Sequence, residues 1–208
     1  WLLKSEWAKT LYYNLLLRYK DKYAVTIYSY NFMDNHPHLS GKLESRELFS
    51  DFFKLVNSRF AREVNKRMKR RGQVVMDRFQ SPRIQSDQEL LRVMAYIDLN
   101  QVRVGKVKYA EENRWSSYRY YAFGEADKLI TPAPTYEELG ITDDERQNVY
   151  REMVAAVLAS DETICITGTH FIGDPKWVKE QYDNLRERGR IRREAQRAAM
   201  IQRMYRRE

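Results

Sequence analysis

Cysteine and histidine are scarce in this chain of 208 residues, which has one of the first and three of the second. With Cys165 as the only cysteine, no intrachain disulfide can form, and a reducing compartment is favoured. No apolar run approaches the ~20 residues that a helix needs to cross a bilayer. Metal sites built mainly from cysteine and membrane-spanning helices are therefore disfavoured.

The charge of the chain is unbalanced towards the positive. Lys and Arg number 37 against 29 Asp and Glu, which gives a formal charge of +8. Hydrophobic residues make up 43% and aromatic residues 13%, values that are typical of a folded domain with a substantial core. The excess of positive charge favours a polyanionic partner, with nucleic acid first and an anionic membrane surface second.

Two of the three histidines, His36 and His38, lie one residue apart. They follow residues 23–32 (YAVTIYSYNF), which are rich in β-branched and aromatic residues and predict a buried strand. If the extended conformation continues through His38, its two-residue period places both imidazoles on one face. Two such imidazoles form half of a site for a divalent metal, although a single His-x-His pair is a common pattern.

Helical periodicity predicts two helices that flank this strand, at residues 2–21 and 45–70. The loop between the strand and the second helix is expected at Ser40, Gly41 and Lys42. The predicted core face of the second helix consists of Phe49, Phe52, Phe53, Val56, Phe60, Val64 and Met68.

A third helix is predicted from Asp87 to about Leu99 or Val102, and two more begin after the cap candidate Thr142 and at Asp174-Pro175. Tyr96 and Asn100 are four residues apart in the third helix and therefore share one face. Near two strand histidines, they would add a nucleophile and a third ligand. Each also has a structural interpretation, Tyr96 as an aromatic at the edge of the core and Asn100 as a helix-end residue.

Four short motifs, taken together, resemble those of a known family. They are residues 35–39 (NHPHL), 78–79 (RF), 96–105 (YIDLNQVRVG) and 115–118 (WSSY). The first resembles the histidine-hydrophobe-histidine (HUH) signature of single-tyrosine transposases. All four follow in the order found in the REP-associated tyrosine transposases, the insertion-sequence-200-like branch of the HUH superfamily, and the resemblance covers about residues 10–122.

The resemblance implies an α+β fold of the ferredoxin-like kind, with an antiparallel sheet, helices on one face and the histidines on a central strand. It implies cleavage and rejoining of single-stranded or hairpin DNA, with Tyr96 as the nucleophile that forms a 5′-phosphotyrosine. His36, His38 and Asn100 would hold Mg²⁺ or Mn²⁺. The setting would be the bacterial cytoplasm, at the nucleoid, and the resemblance leaves open whether the protein is a monomer or a homodimer.

The chain departs from the family pattern in three places. Gln101 stands where the family has proline after the asparagine, and Asp34 stands where proline or serine is usual. Asp34 is expected either near the metal or facing solvent. The family's first core strand precedes the first helix, and we expect the sheet here to lack it.

Basic and aromatic residues supply the candidate DNA contacts. At the end of the second helix they are Lys66, Arg67, Lys69, Arg70 and Arg71. Elsewhere they are Arg78, Arg83, Arg103, Arg114, Arg119, Arg190, Arg192 and Arg193. Trp115 and Tyr118 are candidates for stacking on unpaired bases, with core packing as the alternative, and a solvated helix face is the alternative for the arginine-rich tail.

The predicted organisation is a transposase core at residues 1–123, a linker or arm at 124–140 and a helical, arginine-rich extension at 141–208. The leading hypothesis is a metal-dependent nuclease and strand transferase. A protein of the same fold that binds DNA hairpins without cutting them is the alternative, and a structural RNA-binding protein is a more distant one.

Overall fold

The computed structural model describes residues 3–75, 79–160 and 169–205, with side chains described as far as Gln196. The chain divides into two compact units. The first combines Trp1–Gln80 with Asp87–Ile164, and the second combines Ser81–Ser86 with Cys165–Glu208. The histidine pair, His36 and His38, and the helix that carries Tyr96 both belong to the first unit.

The first unit contains six α-helices and two strands among its described residues. They are α1 (Glu6–Tyr19), β1 (Val25–Phe32), β2 (Pro37–Leu43), α2 (Arg46–Arg67), α3 (Asp87–Arg103), α4 (Tyr118–Phe123), α5 (Pro134–Glu137) and α6 (Asp143–Ala159). Helix α3 packs on both strands, α1 packs on α2, and α6 packs on α3 and α4. The predicted α+β class is confirmed.

Strand β1 is the centre of the first unit, and almost all of it is buried. It pairs antiparallel with β2, from Val25 opposite Leu43 to Phe32 opposite Pro37. On its other edge, Phe32 N donates to Trp115 O at 2.9 Å and Ser117 N donates to Tyr30 O at 2.9 Å. A central, two-sided position explains why β1 is rich in β-branched and aromatic residues.

The expectation of a loop at residues 40–42 is wrong, because these residues continue β2. A Cβ at Gly41 would lie 2.0 Å from the carbonyl oxygen of Thr26, so glycine permits the close approach of the two strands here. The register shifts between Ile27 and Ser29 on the facing strand. Glycine at this position therefore marks an irregular strand pairing rather than the end of a strand.

Helix α2 buries most of its predicted face, including Phe52, Phe60 and Val64. Met68 is 63% exposed, so its assignment to this face is wrong. The helix ends at Arg67, and Lys69 adopts a left-handed φ of 49°, which turns the chain away before the pattern can continue.

Residues 124–140 pack on this core and are irregular apart from the short helix α5. Leu129 and Ala133 are fully buried, and Thr131 N donates to Ile27 O of β1 at 2.9 Å. Helix α6 then buries Tyr150 completely within the same unit. The predicted arm and the first helix after it thus contribute to the core of the first unit.

The second unit contains a two-residue parallel strand pair and one long helix. Strand β3 (Arg83–Ile84) pairs with β4 (Phe171–Ile172), and α7 spans Pro175–Tyr205. Asp174 accepts hydrogen bonds from the backbone N–H groups of Lys176 and Trp177, which confirms it as the helix cap. None of the helices in the described parts of the chain is long and apolar enough to cross a bilayer.

Candidate active site

The two histidines meet at the start of β2. Met33 N donates to His36 O at 3.0 Å and closes a turn, after which Pro37 begins the strand. The Nε2 atoms of His36 and His38 lie 2.8 Å apart, and Asn35 Oδ1 lies 2.9 Å from His36 Nδ1. The expectation of histidines on the central strand is wrong for the described residues, because the turn moves His38 onto β2, which pairs with β1 alone.

Both imidazoles are held in the neutral form at neutral pH. Burial lowers the pKa of His36, and burial together with the neighbouring His36 lowers the pKa of His38 to about 4. A neutral imidazole keeps one nitrogen lone pair, which is the form that binds a metal. If Nδ1 of His36 carries the proton, it donates to Asn35 and leaves Nε2 facing His38.

The spacing of this pair fits one metal ion. Two ligands bound at about 2.1 Å and at right angles to each other lie about 3.0 Å apart, close to the 2.8 Å between the Nε2 atoms. Among the described residues, no group of three or more His, Cys, Asp or Glu side chains is placed to hold a metal. Among the described residues, a third protein ligand would therefore come from another residue type, such as an amide side chain.

The histidine turn is fixed to two helical regions by Asp34. Its carboxylate is 2.6 Å from Lys106 Nζ, just after α3, and 3.5 Å from Lys9 Nζ of α1. Its backbone carbonyl accepts from Leu3 N at 2.7 Å. The hydrogen bond from Lys106 is the main reason that the pKa of Asp34 is lowered. Asp34 thus neither faces solvent nor stands free beside a metal: it anchors the turn.

Tyr96 and Asn100 share a face of α3, as their spacing predicts. Asn100 is 8% exposed, and its Nδ2 donates to the carbonyls of Tyr96 and Ile97, both at 3.2 Å. These two bonds fix the orientation of the amide, so Oδ1 is the atom turned away from the helix carbonyls. A carboxamide oxygen is a suitable ligand for Mg²⁺ or Mn²⁺.

Two buried amides set the position of α3 on the strand that precedes the histidine turn. Asn31 Nδ2 donates to Ile97 O at 2.7 Å and to Asp98 O at 3.2 Å. Gln101 Nε2 donates to Phe32 O at 3.0 Å. The side chain of Gln101 thus ties the helix that carries Tyr96 to the end of β1.

The two histidines lie at the start of β2, and Tyr96 and Asn100 lie on α3, which packs on β2. No direct hydrogen bond joins the two pairs: in residues 3–75 and 79–160, none links either imidazole to Tyr96 or Asn100. Their relative placement instead depends on Asn31, Gln101 and the ion pair between Asp34 and Lys106. Sequence patterns did not single out these supporting contacts.

Tyr96 is half-buried and carries a cation over its ring. The guanidinium carbon of Arg103 lies 4.7 Å from the ring centroid. Arg103 was predicted as a DNA contact, and its seven-residue spacing from Tyr96 on one helix face is the signal that points to this stacking.

Six of the candidate DNA contacts, Arg114 and five residues near the end of α2, are exposed on the first unit. Five basic residues surround the end of α2: Lys66, Arg67, Lys69, Arg70 and Arg71. Arg67 stacks over Trp7 at 4.6 Å, and Arg70 donates to Gln73 O. Arg78 lies outside the described residues. The five residues near the end of α2 are thus exposed and basic, and their contact with DNA remains a prediction.

The sequence left two roles open for Trp115 and Tyr118, stacking on a base and packing in the core, and the two residues differ in this respect. Tyr118 is 7% exposed and packs against Phe123 and Tyr150, which is core packing. Trp115 is half-buried and has the exposed Arg114 at 5.7 Å from its ring. Trp115 is therefore the better placed of the two to meet a base.

The remaining basic candidates lie elsewhere on the two units. Arg119 pairs with Glu125 at 2.7 Å in the first unit. The second unit carries Arg83 on β3 and Arg190, Arg192 and Arg193 on α7, all of them exposed. Arg190 is paired with Glu187 at 2.6 Å.

Comparison with known proteins gives one match. Residues 2–100 match the family model described as transposase IS200-like. No curated protein and no solved structure matches the chain. The matched segment contains His36, His38, Tyr96 and Asn100, and it ends just before Gln101.

Proposed function

Because residues 2–100 place this chain in the IS200-like transposase family, we propose that it is a metal-dependent single-strand DNA endonuclease and strand transferase. The family gives the broader function, transposition, which acts on DNA. The finer proposal names Tyr96 as the nucleophile and His36, His38 and Asn100 as metal ligands. It also names hairpin-forming, REP-like repeats as the substrate.

The observation that carries this proposal is the pair of neutral imidazoles with Nε2 atoms 2.8 Å apart. With a proton on one Nε2, this distance is that of a hydrogen bond between the rings; with both protons on Nδ1, the two Nε2 lone pairs converge on a point that a metal ion can occupy. The pKa of each imidazole is lowered from its ordinary value, which favours the uncharged form at neutral pH, and an uncharged ring does not repel a cation. A bound Mg²⁺ or Mn²⁺ would supply charge stabilisation at the scissile phosphate.

Tyr96 would perform a transesterification. Its phenol oxygen forms a bond to the scissile phosphorus while the bond from phosphorus to the 3′-oxygen breaks. The phenol loses its proton to solvent, and the departing 3′-oxygen gains one. The 5′ phosphate then remains on Tyr96, and attack by a 3′-hydroxyl reverses the step without any further energy source.

The DNA would lie across the basic surface of the first unit. The five Lys and Arg residues at the end of α2 offer phosphate contacts that do not depend on sequence. Trp115, with Arg114 beside it, offers a platform for an unpaired base. Recognition of hairpin shape with single-stranded flanks fits these two kinds of contact.

A denaturing gel tests the proposal. A single strand that forms a hairpin with flanks, labelled at its 3′ end, is incubated with protein and Mn²⁺ or Mg²⁺. The wild type is expected to become labelled only when metal is present. Tyr96→Phe is expected to remain unlabelled, while Tyr109→Phe, which alters a half-exposed tyrosine that is not among the proposed site residues, is expected to label as the wild type does.

Hairpin binding without any labelled protein at any metal concentration would contradict the enzymatic proposal. That result would leave the alternative, a DNA-hairpin binding protein of the same fold. Labelling that survives in Tyr96→Phe would keep the reaction class but assign a different nucleophile.

A further inference from the structure

Arg103 is the last residue of α3 and contacts two different parts of the first unit. Its guanidinium carbon lies 4.7 Å from the centroid of the Tyr96 ring. Its Nη2 donates to the backbone carbonyl of Val157 in α6 at 3.1 Å. One side chain therefore joins the candidate nucleophile to a helix that lies beyond the segment matched by the family.

The placement follows from helical periodicity. Tyr96, Asn100 and Arg103 occur at intervals of four and three residues, so all three lie on one stripe of α3. Helix α6 packs on α3, which brings the Val157 carbonyl within reach of Arg103. The guanidinium is held at one end by this carbonyl and lies against the aromatic ring at the other.

We propose that Arg103 is a positioning residue for Tyr96, and that α6 supports the nucleophile through it. A tyrosine side chain can rotate about two bonds, and a ring that is half-exposed has few neighbours to limit this rotation. Stacking by a fixed cation limits the orientations of the ring and so the position of the phenol oxygen. This inference rests on the proposed function of Tyr96.

Arginine suits this role better than lysine does. Its planar group can stack on a ring through its face and donate from its edge at the same time. A lysine ammonium is a compact charge that can approach the ring or the carbonyl but does not present a plane to both. Arg103→Lys is therefore expected to retain part of the positioning of the Tyr96 ring.

The alternative role for Arg103 is a direct contact to DNA phosphate. The two roles predict different kinetics. Loss of a phosphate contact weakens DNA binding. It also lowers the slope of the logarithm of the binding constant against the logarithm of the salt concentration by about 1. Loss of a positioning contact lowers the rate of the chemical step and leaves binding unchanged.

Helix α6 offers a matched control. Arg151 lies 5.5 Å from the Phe123 ring and donates to the backbone carbonyl of Ala122. It thus makes the same two kinds of contact as Arg103, far along the chain from Tyr96 and outside the proposed catalytic and DNA-binding residues. Arg151→Gln measures what the loss of such contacts does to the fold alone.

The kinetic experiment uses the full chain in four forms: wild type, Arg103→Gln, Arg103→Lys and Arg151→Gln. The rate of adduct formation is measured at saturating hairpin DNA, and DNA affinity is measured separately at several salt concentrations. Arg103→Gln is expected to slow the adduct step by about 10- to 100-fold with affinity unchanged. Arg103→Lys should fall between it and the wild type, and Arg151→Gln should match the wild type.

A second measurement does not depend on activity. With 3-fluorotyrosine in place of Tyr96, the ¹⁹F resonance reports the surroundings of the ring. Arg103→Gln is expected to shift and sharpen this resonance, because the ring loses its stacking partner, and Arg151→Gln is expected to leave it in place. Urea unfolding of each variant establishes that it is folded under the conditions used.

Three results would overturn the inference. One is an adduct rate for Arg103→Gln equal to that of the wild type. Another is a loss of affinity with a lower salt slope and an unchanged rate at saturating DNA, which would make Arg103 a phosphate contact. The third is equal slowing in Arg103→Gln and Arg151→Gln, which would reflect the fold. If the wild type itself forms no adduct, the proposed function fails, and this inference fails with it.

Discussion

Replacing Asp98 with alanine should test the buried polar contacts that hold the Tyr96 helix in place. Asp98 is fully buried on the face of α3 opposite Tyr96. Its Oδ1 accepts from Ser117 Oγ at 2.6 Å, and its Oδ2 accepts from Tyr150 OH at 2.7 Å. The carboxylate therefore joins α3 to the segment beside β1 and to α6.

The expected cost follows from the hydroxyls that the change leaves behind. Tyr150 is fully buried and donates to Asp98, so Asp98→Ala removes its acceptor at about 1–3 kcal/mol. The Ser117 hydroxyl retains the Tyr30 carbonyl at 3.4 Å, so its loss is smaller. With the cavity that alanine leaves, we expect Asp98→Ala to lower the free energy of unfolding by about 3 kcal/mol.

A double-mutant cycle measured by urea unfolding separates these contributions. Tyr150→Phe alone should cost about 1 kcal/mol, because it removes one hydrogen bond and leaves no donor without an acceptor. In the Asp98→Ala background, the same change should cost nothing or stabilise, because the orphaned hydroxyl is removed. Additive losses would refute the account, since they would mean that the two side chains do not interact.

The same carboxyl also sets a pH dependence. Burial raises the pKa of Asp98 from 3.8 to about 7, against two hydrogen bonds that lower it. The folded state then holds the proton more tightly than the unfolded chain does. The stability from this group is present below about pH 4 and is lost as the pH rises towards 7. Between pH 5 and 7 we expect the wild type to lose about 2 kcal/mol more than Asp98→Asn does, and equal slopes would contradict this.

Substitutions at three further positions test other parts of the structure. His38→Ala should weaken Mn²⁺ binding in calorimetry by more than about 100-fold, and unchanged affinity would exclude the histidine pair as a site. Gly41→Ala should lower stability by about 1–3 kcal/mol, because its Cβ would meet the Thr26 carbonyl, whereas a neutral result would place the strands further apart. Gln101→Pro should cost about 3 kcal/mol, since α3 continues to Arg103, and Gln101→Leu about 1 kcal/mol for the bond to Phe32; a neutral Gln101→Leu would show that this side chain has no stabilising role.

Patterns of neighbouring residues correctly predicted the helices and helix starts whose formation depends on interactions between residues close in sequence. The spacing of apolar residues indicated α1, α2 and α3, and the caps at Thr142 and Asp174 marked where α6 and α7 begin. Such signals depend only on residues within a few positions of each other. They fail at Gly41, where the close approach of a second strand, rather than a turn, requires the glycine.

Only those features of the candidate site that depend on the spacing of residues along the chain could be predicted from the sequence. The His-x-His pair and the four-residue interval from Tyr96 to Asn100 are visible in the sequence. The anchoring of Asp34 by Lys9 and Lys106 joins residues 25 and 72 positions apart, and no local pattern reveals it. Contacts of this kind decide where the two halves of the site lie, which explains why sequence motifs identify the reacting groups but not their support.

The most direct test of the account is the identity of the residue that carries the DNA. The adduct formed with Mn²⁺ is trimmed with nuclease, digested with trypsin and examined by mass spectrometry. Trypsin cuts after Arg92 and Arg103, and the peptide between them, VMAYIDLNQVR, contains Tyr96 as its only tyrosine. The account predicts a 5′-linked nucleotide on this peptide at Tyr96. A nucleotide on any other peptide would contradict it.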